Sequence, residues 1–217
     1  MKKYSQNLNN MIDIFDEKTD IILSDITCHS GGALGADSYW EGEGREYGVK
    51  TKAYSYKTTY HKSVNKVEIT EEDYIEGITQ IKQANLNLNR FGIERFMNLL
   101  ARNWAQVKYS KQTFAIGEII CPGKKGKRGY YSKSKYQSVD GGTGYAVQMS
   151  INNNRDTFVF DQVKNKWFRW SYTSLSFIEL AEVPKITSQD FAGVGTREIN
   201  QNGINAIKNV YQRTFSK

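Results

Sequence analysis

The sequence predicts an α/β fold, a three-layer sandwich in which a mostly parallel sheet lies between two layers of helices. Short apolar runs alternate with helical patterns along the chain, as they do in parallel α/β sheets. Three glycine-rich turns, at residues 30–37, 140–144 and 193–198, follow or closely follow apolar runs and precede helical patterns. A length of 217 residues suits one well-cored domain better than two.

The first half of the chain begins with a polar stretch, residues 1–20, for which a short leading helix is predicted. A strand over 21–29 and a helix over 33–47 flank the first glycine turn, and Gly48 ends that helix. Residues 49–56 alternate as a strand does, and a polar loop follows to residue 65. Thr70, followed by three acidic residues, predicts a helix to about residue 85. A second helical pattern covers 90–109, and its aromatic residues Phe91, Phe96 and Trp104 are expected in the core.

The second half continues the alternation. Residues 114–120 predict a buried strand, and the basic, aromatic loop 123–135 after it is either a solvated loop or an anion-binding flap that closes on a ligand. A helix over 142–151 and a strand over 157–160 follow. Residues 166–170 and 177–180 predict a two-stranded extension, residues 191–193 close a final strand, and residues 204–215 form the last helix.

Composition favours an anionic partner. The formal net charge is +7, which suits nucleic acid or a phosphorylated small molecule. Cys28 and Cys121 have neither metal-ligand nor disulfide spacing, so a reducing, cytoplasmic setting is expected. His29 and His61 are isolated, and we expect neither a metal nor a cofactor. No apolar run approaches the length of a membrane span, and no signal peptide is expected.

A glycine turn between a strand and a helix suits a phosphate, because backbone N–H groups can approach it without Cβ obstruction and the helix dipole favours an anion. The same glycines can also serve only to turn the chain tightly. Asp37, in the first turn of its helix, either favours the dipole or binds a ligand hydroxyl. Three such turns in one small chain favour the functional interpretation.

Four blocks of the sequence resemble the SLOG superfamily, which comprises Rossmann-like domains of Smf-type DNA-processing proteins, LOG nucleotide phosphoribohydrolases and many small prokaryotic and phage proteins. The blocks are Ser-Gly-Gly-Ala-Leu-Gly-Ala-Asp at 30–37, Ala-Arg-Asn at 101–103, Gly-Gly-Thr-Gly at 141–144 and the 191–198 segment. The last block usually comes first in this family, so the resemblance implies a circularly permuted domain over 1–217, with insertions at 122–139 and 161–182. The strand ending at Ala192 should then lie in mid-sheet beside the strand ending at Cys28, with helix 204–215 as their crossover.

The resemblance places a ligand beyond the carboxyl ends of the strands, where the three turns would converge. Glycine amides and hydroxyls would bind phosphates, Asp37 and Glu198 ribose hydroxyls, and Arg197 or Arg102 a phosphate pair. No catalytic residue is predicted. The predicted ligand-binding residues are Ser30, Gly31, Gly32, Asp37, Arg102, Asn103, Gly141, Gly142, Thr143, Gly144, Gly193, Gly195, Thr196, Arg197 and Glu198.

The function predicted from this resemblance is binding of a nucleotide or nucleotide-derived signalling molecule, either ADP-ribose-like or cyclic. A phage-encoded member would sequester a host defence signal in the host cytoplasm, and a homo-oligomer is expected. One alternative is a LOG-like phosphoribohydrolase acting on nucleoside monophosphates. That activity uses Pro-Gly-Gly-x-Gly-Thr-x-x-Glu, whereas no glutamate follows Gly144 and Glu198 is one position too near its own turn, so the sequence leans away from an enzyme. The other alternative is Smf-type binding of single-stranded DNA, supported by charge but lacking a regular stacking platform.

Overall fold

The computed structural model of the protein describes residues 25–61, 63–127 and 129–216, so the predicted leading helix lies outside the described residues. The strands are β1 Thr27–Ser30, β2 Lys50–Ser55, β3 Lys66–Glu68, β4 Gln112–Gly117, β5 Ile119–Ile120, β6 Ser138–Val139, β7 Asp156–Asp161, β8 Lys166–Ser171, β9 Ser176–Glu179 and β10 Asp190–Gly195. The helices are α1 Ala36–Glu46, α2 Glu71–Leu88, α3 Met97–Lys108, α4 Thr143–Asn152 and α5 Gln201–Phe215.

The architecture confirms the predicted fold class. Eight strands form one sheet in the order β3-β2-β1-β10-β4-β7-β8-β9, and β5 pairs with β6 in a separate two-stranded ladder. The first six strands in this order, from β3 across to β7, pair in parallel. Strands β8 and β9 add an antiparallel hairpin, which is the predicted two-stranded extension. Cys28 pairs with Phe191 across β1 and β10, so the last strand lies inside the sheet beside the first, as expected.

Two apolar cores hold the layers together. Helices α1 and α5 pack on one face of the sheet, where the rings of Trp40, Phe114, Phe191 and Tyr211 contact each other. Helices α2, α3 and α4 pack on the other face. Burying each large apolar side chain contributes roughly 1.5–3 kcal/mol, so these two layers carry most of the folding free energy.

Local signals fixed the helix ends. The Thr70 hydroxyl accepts a hydrogen bond from the Asp73 amide at 3.0 Å, which caps α2 as predicted. Gly48, with φ of +72°, follows the end of α1 in the left-handed conformation that glycine adopts without strain. Among the described helices, none has the length and apolar character needed to cross a bilayer.

Several predicted boundaries were wrong. Strand β1 begins at Thr27 and continues to Ser30, and the strand predicted over 114–120 is divided at Glu118. Strand β3 follows the predicted loop, at a place where the sequence indicated no strand. The helix predicted from residue 90 begins at Met97, because Gly92 has φ of +68°, which a right-handed helix excludes. Phe91 and Phe96 therefore lie outside the helical face and are 76% and 43% exposed, whereas Trp104 is buried as predicted.

Candidate functional site

The candidate site lies at the carboxyl ends of β1, β10 and β4. Helix α5, which follows β10, packs on the same face as α1, whereas α4, which links β4 to β7, packs on the opposite face. The chain therefore leaves neighbouring strands β10 and β4 for opposite sides of the sheet. Ligands of open α/β sheets bind at such a point.

The first glycine turn is filled by side chains of this chain. A Cβ on Gly31 would overlap the Arg102 guanidinium, which therefore lies directly against the backbone of the turn. A Cβ on Gly32, which has φ of +60°, would overlap the His61 ring, and His61 Nε2 lies 3.1 Å from the Gly31 carbonyl oxygen. Both glycines thus make room for protein groups in this conformation.

Asp37 connects the first turn to the third. Its side chain is 7% exposed, its Oδ1 accepts a hydrogen bond from the Gly195 amide at 3.2 Å, and its Oδ2 lies 3.6 Å from Arg102 Nη1. Burial raises the pKa of Asp37 to about 6, against the opposing effect of the Arg102 charge. The same burial lowers the pKa of Arg102. The carboxylate and guanidinium therefore largely neutralise each other beneath the turns.

Glu41 is a buried carboxylate that sequence reasoning missed. Its Oε1 accepts a hydrogen bond from the Ser30 hydroxyl at 2.8 Å, and its Oε2 accepts one from the Ser63 hydroxyl at 2.7 Å. Ser63 belongs to the same β2–β3 loop that brings His61 over the first turn. The available signal was the four-residue spacing from Asp37, which places both carboxylates on one face of α1. Ser30 thus fixes the β2–β3 loop indirectly, through Glu41.

At the second glycine turn, side chains bind the backbone carbonyls while Gly142 stays exposed. Arg90 donates hydrogen bonds of 2.6 Å to the carbonyl oxygens of Gly141 and Val139, and Asn103 Nδ2 donates one of 3.3 Å to the Gly142 carbonyl. Helix α4 starts at Thr143, directly after this turn, without a side-chain cap. Gly142 is exposed, and its nearest side-chain atom to a built Cβ is Leu100 Cδ2 at 3.8 Å. The Gly141 amide already donates to Asp140 Oδ1 at 2.7 Å, so the room for a ligand lies at the amides of Gly142 and Thr143, where α4 starts without a side-chain cap.

The third glycine turn serves close packing. A Cβ on Gly193 would lie 2.6 Å from the Trp40 ring, and one on Gly195 would overlap Ala36, so both glycines let α1 approach β10. The Thr196 amide donates to the Ile116 carbonyl at 3.0 Å, and the Thr196 carbonyl accepts from the Ala36 amide at 3.0 Å. Helix α5 begins five residues later, at Gln201, with Asn200 as its cap. The backbone donors at Gly195 and Thr196 are thus used internally.

The structure brings most of the predicted residues together in two connected groups. Ser30, Gly31, Gly32, Asp37, Arg102, Gly195 and Thr196 form one group, and Asn103, Gly141, Gly142, Thr143 and Gly144 form the other. Arg102 and Asn103 are adjacent on α3, so this helix joins the two groups. Arg197 and Glu198 are exposed on the rim, whereas Gly193 lies in the core. A ligand-binding role for these residues stays a prediction.

Two cavities lie away from the turns. One of about 550 Å³ lies between the β8–β9 hairpin and α5, where Trp167, Glu179 and Asn205 line it, and another of about 490 Å³ lies near Gln112 and Arg213. Within the described ranges, no cluster of three or more His, Cys, Asp or Glu side chains could hold a metal ion. No protein-family model, curated protein or solved structure matches this chain.

Proposed function

We propose that the protein binds a nucleotide or a nucleotide-derived signalling molecule, ADP-ribose-like or cyclic, at the second glycine turn. The observation that carries the proposal is the open space above Gly142 at the uncapped N-terminus of α4. Backbone amides at a helix N-terminus, together with the helix dipole, favour a phosphate. Arg90 and Asn103 bind the carbonyl oxygens of this turn, and Gly142 itself stays exposed to a ligand.

The position of this turn in the sheet supports the same ligand class. It lies at the switch point between β10 and β4, where dinucleotide-binding α/β sheets hold their ligands. The formal net charge of +7 adds a long-range attraction for an anion. Membership of the SLOG superfamily, with circular permutation, is part of the proposal, and the adjacency of β1 and β10 supports it. Sequestration of a host defence signal by a phage-encoded protein follows from that membership.

One observation favours turnover as a second candidate. A carboxyl group whose pKa is about 6, as at Asp37, suits general acid–base catalysis near neutral pH, as a LOG-like phosphoribohydrolase would require. Against it, both Asp37 oxygens already face protein groups, the Gly195 amide and the Arg102 guanidinium. We therefore propose binding without turnover.

The test is calorimetric titration with AMP, ADP-ribose and cyclic AMP, preceded by native mass spectrometry of the purified protein to detect a retained nucleotide. A single-stranded oligonucleotide is titrated beside them. Gly142→Val fills the open space, and Gly42→Val is the matched control, because a Cβ on Gly42 in α1 meets no atom within 4 Å. We expect Gly142→Val to weaken nucleotide binding about tenfold or more, a loss of about 1.4 kcal/mol or more, while the control binds as the parent does.

Three results would contradict the proposal. If the parent binds none of the three nucleotides, the function is wrong. If it binds only the oligonucleotide, Smf-type nucleic-acid binding replaces it. If free base accumulates from AMP at about 1 per second or faster, the protein is a hydrolase.

A further inference from the structure

A basic hairpin stands beside the candidate site. Its described residues are 123–127 and 129–132, and it follows β5 near the carboxyl end of β4. The Gly126 amide donates to the Tyr130 carbonyl at 3.1 Å, Lys125 forms a bridge with Tyr131, and the Gly123 amide donates to the Ser132 carbonyl at 2.9 Å. The sequence predicted either a solvated loop or an anion-binding flap here, and these cross-strand bonds show that the backbone has a defined hairpin conformation.

The hairpin reaches the third glycine turn through one lysine. Lys127 Nζ lies 3.3 Å from Glu198 Oε2, and the Lys127 amide donates to Glu118 Oε2 at 3.3 Å. The Lys127 and Glu198 side chains are 68% and 72% exposed. Water and salt screen such a pair, so it holds the lysine in place only weakly.

The hairpin also carries two aromatic rings that the protein leaves uncovered. Tyr130 is 81% exposed and Tyr131 is 68% exposed. A cation beside uncovered rings matches the two halves of a nucleotide, because lysine pairs with phosphate and an aromatic face stacks on any base. Phosphate alone would need no such rings.

We propose that this hairpin is the second half of the nucleotide site, in which Lys127 binds a ligand phosphate and Tyr130 or Tyr131 stacks on the base. In the free protein the Glu198 carboxylate then occupies the position of that phosphate beside Lys127, and the ligand phosphate displaces this carboxylate when it binds. This inference rests on the proposed function. It also assigns Glu198 a role opposite to the ribose contact that the sequence predicts.

The charges involved favour the exchange of Glu198 for a phosphate at Lys127. An exposed ion pair contributes little, whereas a charge-assisted bond from lysine to a phosphate oxygen is among the stronger hydrogen bonds of proteins. The hairpin lies beside the second turn, since a Cβ on Gly126 would be 3.8 Å from the Asp140 carboxyl carbon. A phosphate bound by Lys127 could therefore also meet the amides at the start of α4, an attraction that Glu198 cannot supply. Removing the Glu198 charge should therefore strengthen ligand binding.

The test is calorimetric titration of four variants with AMP, ADP-ribose or cyclic AMP, whichever the parent binds, and with ribose 5-phosphate, which lacks a base. We expect Glu198→Gln to bind the nucleotide about threefold more tightly. Lys127→Gln should bind it more weakly, and adding Glu198→Gln to that background should give no gain. The matched control is Glu179→Gln, because Glu179 forms an exposed pair with Lys166 on the β8–β9 hairpin. It should bind as the parent does.

The aromatic half is tested by replacing Tyr130 and Tyr131 together with alanine. Nucleotide affinity should fall about tenfold, while binding of ribose 5-phosphate stays at the parent value. Weaker nucleotide binding by Glu198→Gln would overturn the inference in favour of a ribose contact, and unchanged binding by all the hairpin variants would exclude the hairpin from the site. Both results leave the proposed function standing. A parent that binds no nucleotide overturns both proposals.

Discussion

At Asp37 two electrostatic effects oppose each other, and asparagine substitution reveals which one dominates. Burial of the carboxyl favours its neutral form, whereas the Arg102 guanidinium, 3.6 Å away, favours the charged form. The nearby Glu41 carboxyl acts in the same direction as burial. Burial prevails, and the pKa of Asp37 rises on folding from 3.8 to about 6.

The sign of the pH dependence follows from this shift. Because the folded protein holds the Asp37 proton more tightly than the unfolded chain, the stabilisation is complete below about pH 4 and is lost as the pH rises through about 6. A shift of about two pKa units corresponds to about 3 kcal/mol in the free energy of unfolding. Ionising Asp37 inside the folded protein therefore costs free energy at neutral pH, because the Arg102 charge offsets only part of the burial.

The assay is urea unfolding of the parent and Asp37→Asn between pH 4 and pH 7.5. Asparagine resembles the neutral carboxyl in shape and does not titrate, and all other groups titrate in both proteins. We expect the parent to lose about 2 kcal/mol relative to the variant across this range, because the unfolded chain is already partly ionised at pH 4. Asp156→Asn is the matched carboxyl-to-amide control, because Asp156 lies at the surface in an exposed pair with Arg169. A parent that gains stability over Asp37→Asn as the pH rises would show that the Arg102 attraction outweighs burial.

Three further predictions concern packing and reactivity. Gly144→Ala should lower the free energy of unfolding by about 1–3 kcal/mol in urea, because a Cβ there would overlap the Val139 carbonyl oxygen; a parent-like midpoint would mean that the turn yields. Thr70→Ala removes the α2 cap and should cost about 1 kcal/mol in the same assay, whereas no change would mean that water replaces the cap. Ellman's reagent should titrate one thiol in the folded protein and two in urea, because Cys28 is buried, with its pKa raised by that burial, while Cys121 is partly exposed. Rapid reaction of both thiols without urea would contradict the packing around β1.

The fold was predictable where local chemistry determines it. The Thr70 cap, the Gly48 terminator and the alternation of apolar runs with helical patterns all act within a few residues, and the structure follows them. Strand β3 had no such signal, because its three residues are all exposed and it exists only through pairing with β2. Gly92 is a residue that disfavours a helix interior, but its left-handed backbone conformation became evident only in the structure.

The site was predictable only in part, because a glycine in the sequence shows that a Cβ is absent but does not show which group fills the space beside it. At Gly31 that group is the Arg102 guanidinium, and at Gly193 it is the Trp40 ring. Neither partner is near in sequence, so only the packed sheet brings them together. His61 belongs to no periodic pattern, and nothing in the sequence indicated that its loop would cover the first turn.

The three turns therefore differ in what they can still offer to an anion. Arg102 and His61 cover the first turn, and the third uses its Gly195 and Thr196 amides within the protein. The positive charge of Arg102 is already matched by Asp37, so it adds little attraction at the surface. An anionic ligand would then be held by the second turn and by exposed cations on the rim, such as Lys127. Salt screens exposed charges, so the contribution of rim cations such as Lys127 to ligand affinity should fall as ionic strength rises. The amides at the N-terminus of α4 act at contact distance, so their contribution should persist at high salt.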